Sequence, residues 1–332
     1  MNNERITLYV IDLLAPPGHT SLVSNLVNVL NDKYSVVFIS SSEYCSNLKS
    51  VNTVELDNEY FNRTNRFLRI KADYIKIKKI KNILKQNKKP FLVLFTSFEN
   101  ITFPILWSSY CSQTLALIHN NLDRKKFSQL FLKKTNNKIG FIVFENFLIN
   151  PIKQITNNKV FTIPHVINDK IEDLCESYWK NEEYIFAPSR GSNFLEKYYT
   201  EFTDYLHKSN LILYMKGKKN QNIARIKFSN YFENYNSLIN NAKYILINSG
   251  YKYRISGVFY EAMAKNKIVI YVDKTDFFCQ EMKKKYPNSV FHYEEIDFKP
   301  KLKSEDFEKF KNLHSNNNIL EKLDSAFEKI RN

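Results

Sequence analysis

The chain has 332 residues, with 49 Lys+Arg against 34 Asp+Glu and a formal net charge of +15. Hydrophobic residues make up 43% and aromatic residues 15%, which excludes an intrinsically disordered chain, poor in both. The length exceeds the roughly 250–300 residues of one hydrophobic core, so two domains are expected, and no apolar run reaches the roughly 18–20 residues of a membrane span.

Short β-branched and aromatic runs alternate with helical stretches. The start, MNNERITLYVIDLL, has no small-residue cleavage site after its apolar run and reads as a first strand rather than a signal peptide. Strands are predicted at 6–14, 35–40, 91–97, 114–119 and 140–145. A second series follows at 184–189, 211–217, 243–249 and 267–273. These runs are continuous rather than alternating, as in parallel strands covered by helices on both faces. Helices are predicted at 20–31, 74–86, 124–135, 193–208, 234–242, 257–265, 304–313 and 319–330. The pattern implies an α/β, doubly wound architecture. The series restarts near 184, after a short strand and a polar connector. The expected domains are therefore 1–165 and 184–332, joined by 166–183.

Four cysteines (Cys45, Cys111, Cys175 and Cys279) lie far apart with no C-x-x-C pair. No disulfide framework or paired-cysteine zinc site is expected, and a reducing cytoplasm is the default. The basic charge permits attraction to nucleic acid, anionic lipid or nucleotide phosphates without choosing among them.

The segment YKYRISGVFYEAMAKNKIVIYVD, 251–273, carries the most chemistry. Ser256 suits a helix N-cap, with its hydroxyl accepting from first-turn N–H groups. Gly257 lets a ligand approach those groups. With the helix dipole they make an anion site suited to a diphosphate, and Arg254 adds a charge-assisted contact. Glu261 lies one turn on, on the face of Gly257 and Val258, where a carboxylate can accept from two ribose hydroxyls. In the first half, Gly18 permits a tight turn, and His19 and Thr20 open a helix at the carboxyl end of the first strand, where doubly wound sheets bind ligands. Asp12 lies in that strand. His119, Glu99 and Glu145 follow later strands at the same edge.

Strand, polar loop, Ser256-Gly257, then Glu261-Ala-Met-Ala and the strand from Lys267 resemble the donor-nucleotide segment of GT-B glycosyltransferases, with a family 4-like motif. Many retaining members carry two glutamates eight positions apart. Glu261 matches the second, and Tyr253 stands at the first. NKIVI replaces the usual G-x-P-V-I. Arg254 to Gly257 is similar to the R-x-S-G of bacterial polysaccharide-assembly enzymes. The resemblance implies two Rossmann-like domains facing across a cleft. YIFAPSRGSNFLEKYY, 184–199, resembles the loop where a basic residue meets donor phosphates, which implies Arg190 with Gly191. LILYMKGKK, 211–219, resembles the next strand and brings in Lys216. The loop of Gly18, His19 and Thr20, with Glu99, is implied to be acceptor-side. His19 would be the general base, Asp12 its orienter, and His119 a contact to the donor sugar, with retention or inversion left open.

The implied reaction moves a sugar from a nucleotide diphosphate sugar to a hydroxyl of a lipid-linked or surface glycan, as in lipopolysaccharide or capsule assembly. The setting would be the cytoplasm, peripheral on the inner face of a bacterial inner membrane. No D-x-D lies between apolar runs, so no metal cofactor is expected, with Arg190, Lys216, Arg254 and the helix dipole neutralising the leaving diphosphate. The lysine-rich helix within 72–89, with its stripe of Ile77, Ile80, Ile83 and Leu84, offers contact with an anionic membrane. An epimerase or phosphotransferase on the same scaffold, a silent partner protein and a basic binding module are the alternatives. No specific nucleic-acid motif is present.

Overall fold

The computed structural model describes residues 5–13, 20–48, 50–61, 65–97, 107, 113–118, 122, 126–167, 183–189, 192–218, 220–247, 252–296 and 305–331. The chain divides into two compact units, one of residues 1–166 with 314–332 and one of 167–313.

The first unit is built on a seven-stranded sheet in the order β3-β2-β1-β4-β5-β6-β7, parallel throughout. Its strands are β1 (Thr7–Ile11), β2 (Ser35–Ser41), β3 (Asn52–Leu56), β4 (Phe91–Phe95), β5 (Thr114–Leu117), β6 (Gly140–Val143) and β7 (Val160–Thr162). The described helices are α1 (Thr20–Asn31), α2 (Ser42–Cys45), α3 (Arg66–Gln86), α4 (Lys126–Lys133) and α5 (Ile149–Lys153). The continuous apolar runs expected as strands form the centre of this sheet: β5 and β6 are buried at every position. β3 (NTVEL) was not expected. It is the edge strand, and its exposed Asn52 and Glu55 hide it from a reading keyed to apolar runs.

The second unit repeats the plan in the order β10-β11-β9-β8-β12-β13-β14. Its strands are β8 (Tyr184–Ala187), β9 (Ile212–Lys216), β10 (Gln221–Ile223), β11 (Ile226–Ser229), β12 (Tyr244–Leu246), β13 (Ile268–Tyr271) and β14 (Val290–His292). All pair in parallel except the β10–β11 hairpin. Its helices are α6 (Ser192–Ser209), α7 (Tyr235–Asn241), α8 (Gly257–Ala264), α9 (Phe277–Lys285) and α10 (Glu305–Leu313). The hairpin and β14 are short edge elements without an apolar run, and the sequence reading missed them.

The last helix, α11 (Asn316–Arg331), belongs to the first unit, whereas the sequence reading grouped 184–332 together. The reason is a fitted contact. A Cβ on Gly140 would stand 2.7 Å from both Ile330 Cγ2 and Leu115 Cδ2, so glycine at the start of β6 admits the helix. Asp324 accepts from both Lys33 and Tyr34 in the turn between α1 and β2, and Arg331 donates to Gln113 at 3.4 Å. Ile319, Leu323, Ala326 and Phe327 form the buried stripe.

The chain leaves the first unit beside two buried histidines. His314 Nδ1 lies 2.7 Å from the His165 carbonyl oxygen, and the His165 ring packs 4.6 Å from Phe144. Burial lowers the His165 pKa to about 4, opposed by its bond to the Val166 carbonyl.

Two stability predictions follow from these contacts. Gly140→Val is expected to destabilise the protein by about 1–3 kcal/mol through overpacking, read by chemical denaturation. An unchanged midpoint would show that α11 does not seat against β6. His165 stays neutral in the fold but takes a proton near its ordinary pKa of 6.5 when unfolded. Its contribution is therefore complete above that value and is lost as pH falls towards about 4, by up to about 3 kcal/mol. The stability gap between wild type and His165→Gln should shrink by that amount between pH 7 and pH 4.5. A constant gap would refute the assignment.

Candidate functional site

A doubly wound sheet changes direction beside its first strand, and the crevice outside the carboxyl ends there is where ligands sit. In the second unit that point falls between β8 and β12. The helix after β12 is α8, which starts at this carboxyl edge and runs back to β13. Five of its eight residues are buried: Phe259, Tyr260, Ala262, Met263 and Ala264. The remaining three, Gly257, Val258 and Glu261, share its outer face, as helical spacing dictates. An aromatic cluster holds the inner face. Phe259 lies edge-on to Phe278 at 5.3 Å, and Phe310 of α10 meets Tyr260 at 6.2 Å and Tyr286 at 5.6 Å.

The two ends of α8 differ. Ser256 occupies the N-cap position with φ −108° and ψ 114°, but its hydroxyl makes no cap bond. The expected capping role is therefore corrected: the Ser256 side chain does not cap the first turn. A Cβ on Gly257 would meet nothing within 4 Å, so the space beside Gly257 is open. A helix N-terminus whose N-cap side chain leaves the first turn uncapped is an electropositive site for an anion. At the other end Lys267 N–H donates to the Ala262 carbonyl at 2.8 Å, and Asn266 N–H to Met263 at 3.1 Å. That is a Schellman closure, with Asn266 at φ 55° in the left-handed region glycine favours. Asparagine thus fills the place where the GT-B pattern has glycine.

Glu261 is half-buried, and its Oε2 accepts from Tyr235 Oη at 2.7 Å. Burial first, then the Glu261 charge, raises the Tyr235 pKa, so the phenol stays protonated and donates. Tyr235 opens α7 and packs 5.6 Å from Phe186 of β8. The sequence reading missed it. The only signal was a tyrosine at the start of the helix preceding the donor-like segment. Arg254 is half-buried two residues before Ser256, and Lys216 is half-buried at the carboxyl end of β9. Arg190 and Gly191 lie outside the described residues.

In the first unit the equivalent point falls between β1 and β4. Asp12, at the end of β1, is fully buried there. Its Oδ1 accepts from Ser97 Oγ at 2.9 Å and its Oδ2 from Thr96 Oγ1 at 3.1 Å, both past the end of β4. Thr20, at the start of α1, bonds the phenol of buried Tyr44; burial first, then the Asp12 charge, pushes that phenol's pKa up. The sequence reading placed Asp12 and Thr20 at this edge but missed Tyr44, Thr96 and Ser97. Glu145 follows β6 at the same edge and is buried. Gly18, His19, Glu99 and His119 lie outside the described residues. Among the described residues no three His, Cys, Asp or Glu side chains gather as a metal site would require.

The lysine-rich helix differs from its sequence reading. Ile77, Ile80 and Leu84 are buried within the first unit, so that stripe is not free to meet a membrane. Lys76 is also buried and pairs with Asp73 at 2.9 Å. Burial lowers its pKa while Asp73 opposes the shift. Among the described residues no helix is long and apolar enough to cross a membrane.

No protein-family model matches the chain, and no curated protein matches it. Solved structures do. A glycosyltransferase from Rickettsia africae is 16% identical, with a TM-score of 0.66 over 99% of each chain. The Anabaena protein HepE, in complex with UDP and glucose, is 11% identical, with a TM-score of 0.68 over 98% of this chain and 100% of its own. A UDP-N-acetylglucosamine 2-epimerase from Rickettsia bellii is 12% identical, with a TM-score of 0.56 over 98% of both. At such identities the likeness is one of fold, and with the two sheets described above it establishes an α/β protein with the GT-B fold of two doubly wound, Rossmann-like units.

Proposed function

We propose that the protein is a glycosyltransferase that moves a sugar from a nucleotide diphosphate sugar to a hydroxyl of a lipid-linked or surface glycan. The observation that carries this reading is the N-terminus of α8, uncapped by Ser256 and open beside Gly257, with Glu261 one turn further on the same face. The Gly257 and Val258 N–H groups and the helix dipole hold the diphosphate. Arg254 and Lys216, with Arg190 and Gly191, add cationic and backbone contacts that neutralise the leaving group without a metal. Glu261 accepts from the ribose hydroxyls, and Tyr235 fixes its carboxylate by holding one oxygen. In the first unit His19 removes the acceptor proton, Asp12 orients it, and His119 meets the donor sugar. Gly18, Thr20 and Glu99 border the acceptor. The UDP and UDP-glucose held by HepE make a uridine diphosphate sugar the first donor to test. The glycan acceptor, lipopolysaccharide or capsule assembly, and a peripheral place on the inner face of a bacterial membrane rest on the R-x-S-G resemblance.

The epimerase of the same fold supports a second reading, in which the nucleotide sugar is substrate without an acceptor. Product formation that needs no added glycan would favour it.

Isothermal titration with UDP, GDP, ADP and CMP is the direct test. One diphosphate is expected to bind wild type. Glu261→Ala should weaken it roughly tenfold to hundredfold, the worth of hydrogen bonds to a charged group. Tyr235→Phe keeps the carboxylate but frees its oxygen, and should weaken binding roughly threefold to tenfold. If no nucleotide binds, or Glu261→Ala binds as wild type does, the donor site is not at α8.

A further inference from the structure

The hydrogen-bond ladder of β1 gives way to side chains just past the end of the strand. Asp12 N–H still donates to the Ile39 carbonyl of β2, and Thr96 N–H to the Ile11 carbonyl, both at 3.1 Å. The next amide, Leu13 N–H, donates instead to Ser97 Oγ at 3.0 Å. A serine hydroxyl has one proton to give. That of Ser97 goes to Asp12 Oδ1 at 2.9 Å, so the bond from Leu13 and the bond to Asp12 together fix the orientation of the hydroxyl. Thr96 Oγ1 holds the other carboxylate oxygen at 3.1 Å. Asp12, Thr96 and Ser97 are all fully buried. A second hydroxyl reaches this place from the far side of β1. Tyr44 follows β2, with its N–H capped by Ser41 Oγ at 3.3 Å and its ring edge-on to Phe38 at 5.2 Å. Its phenol bonds Thr20 at the start of α1 and lies within reach of the Asp12 charge.

We propose that Ser97 and Tyr44 are positioning residues: Ser97 fixes the Asp12 carboxylate and the Leu13 amide from the β4 side, and Tyr44 fixes Thr20 from the β2 side. The inference deepens the sugar-transfer reading and rests on it, since Asp12 and Thr20 are the described residues of its acceptor-side group. An ionised carboxylate out of water needs a donor at each oxygen. Ser97 and Thr96 supply one each, and neither touches solvent. Stability alone does not call for such a set, because replacing both partners of a buried hydrogen bond by apolar groups of the same shape is close to neutral. A carboxylate and a helix start that must keep one geometry at the ligand edge of the sheet do call for it. The two hydroxyls come from the two strands that flank β1, so the held groups move only if the sheet does.

The test compares Ser97→Ala, Ser97→Thr and Tyr44→Phe in the full chain by amide hydrogen exchange and by release of UDP from UDP-glucose, with and without added lipopolysaccharide. Ser97→Ala should speed exchange at Leu13 roughly tenfold or more, and Tyr44→Phe should speed it in the first turn of α1 roughly threefold to tenfold. In both, kcat for UDP release should fall roughly tenfold to a hundredfold while KM for UDP-glucose and the affinity for UDP hold. Ser97→Thr keeps the hydroxyl and should restore most of kcat. Tyr44→Phe keeps the ring, so it carries the test if Ser97→Ala does not fold. The proposal is overturned if exchange in both variants matches wild type, or if exchange rises while kcat stays, which would leave the hydroxyls a merely structural part. Wild type that releases no UDP overturns the transfer reading instead, and the exchange comparison then decides by itself whether the two hydroxyls hold Asp12 and Thr20.

Discussion

Parallel pairing beside the first strand of each sheet is the constraint on which the rest depends. β1 lies between β2 and β4, and β8 between β9 and β12, so the winding reverses at those strands. Parallel strands bring all carboxyl ends to one edge, and the reversal sends successive connections to opposite sides. A crevice is left that no connection crosses. Asp12, Thr96 and Ser97 meet at the one in the first unit. The start of α8 stands at the one in the second. Neither group is near in sequence to all its partners; the hydrogen-bond register of the sheets assembles both.

Helix α8 shows how a mostly buried element can still present chemistry. Its inner face is fixed by aromatic contacts to Phe278 and Phe310, and its far end is closed by Asn266 in the left-handed conformation. With both anchored, the near end is left uncapped by Ser256 and open beside Gly257. A capping hydroxyl would have stabilised the isolated helix by about 1 kcal/mol. Leaving it out keeps donors available to a ligand. Tyr235 works in the same direction, since a carboxylate held by one oxygen keeps its other lone pairs in a fixed orientation.

Buried charge is handled differently in the first unit. Asp12 is solvated by two hydroxyls, and Asp73 by the Lys76 ammonium. These groups use polar side chains that a sequence reading assigns to the surface. Lys76 is the clearest example: within a run of lysines it alone is read wrongly as solvent-facing, because only its position on the helix, opposite Phe67 and Tyr74, sends it inward. The core takes Ala72, Ile77, Ile80 and Leu84, while Phe67, Leu68, Ile70 and Tyr74 stay exposed.

The sequence by itself determined the fold class, the central strands and the outer face of α8. Continuous apolar runs specify strands buried on both sides, and the spacing of Gly257, Val258 and Glu261 fixes one helical face. Edge strands such as β3 and β10 escaped it, because a strand exposed at the sheet margin needs no apolar run. Only the tertiary structure decided the partners. Tyr235 reaches Glu261 across 26 positions and Ser97 reaches Asp12 across 85, distances that β-α-β winding closes and local pattern does not encode. It also decided that α11 joins the first unit, since the space above Gly140 exists only once β5, β6 and β7 are side by side.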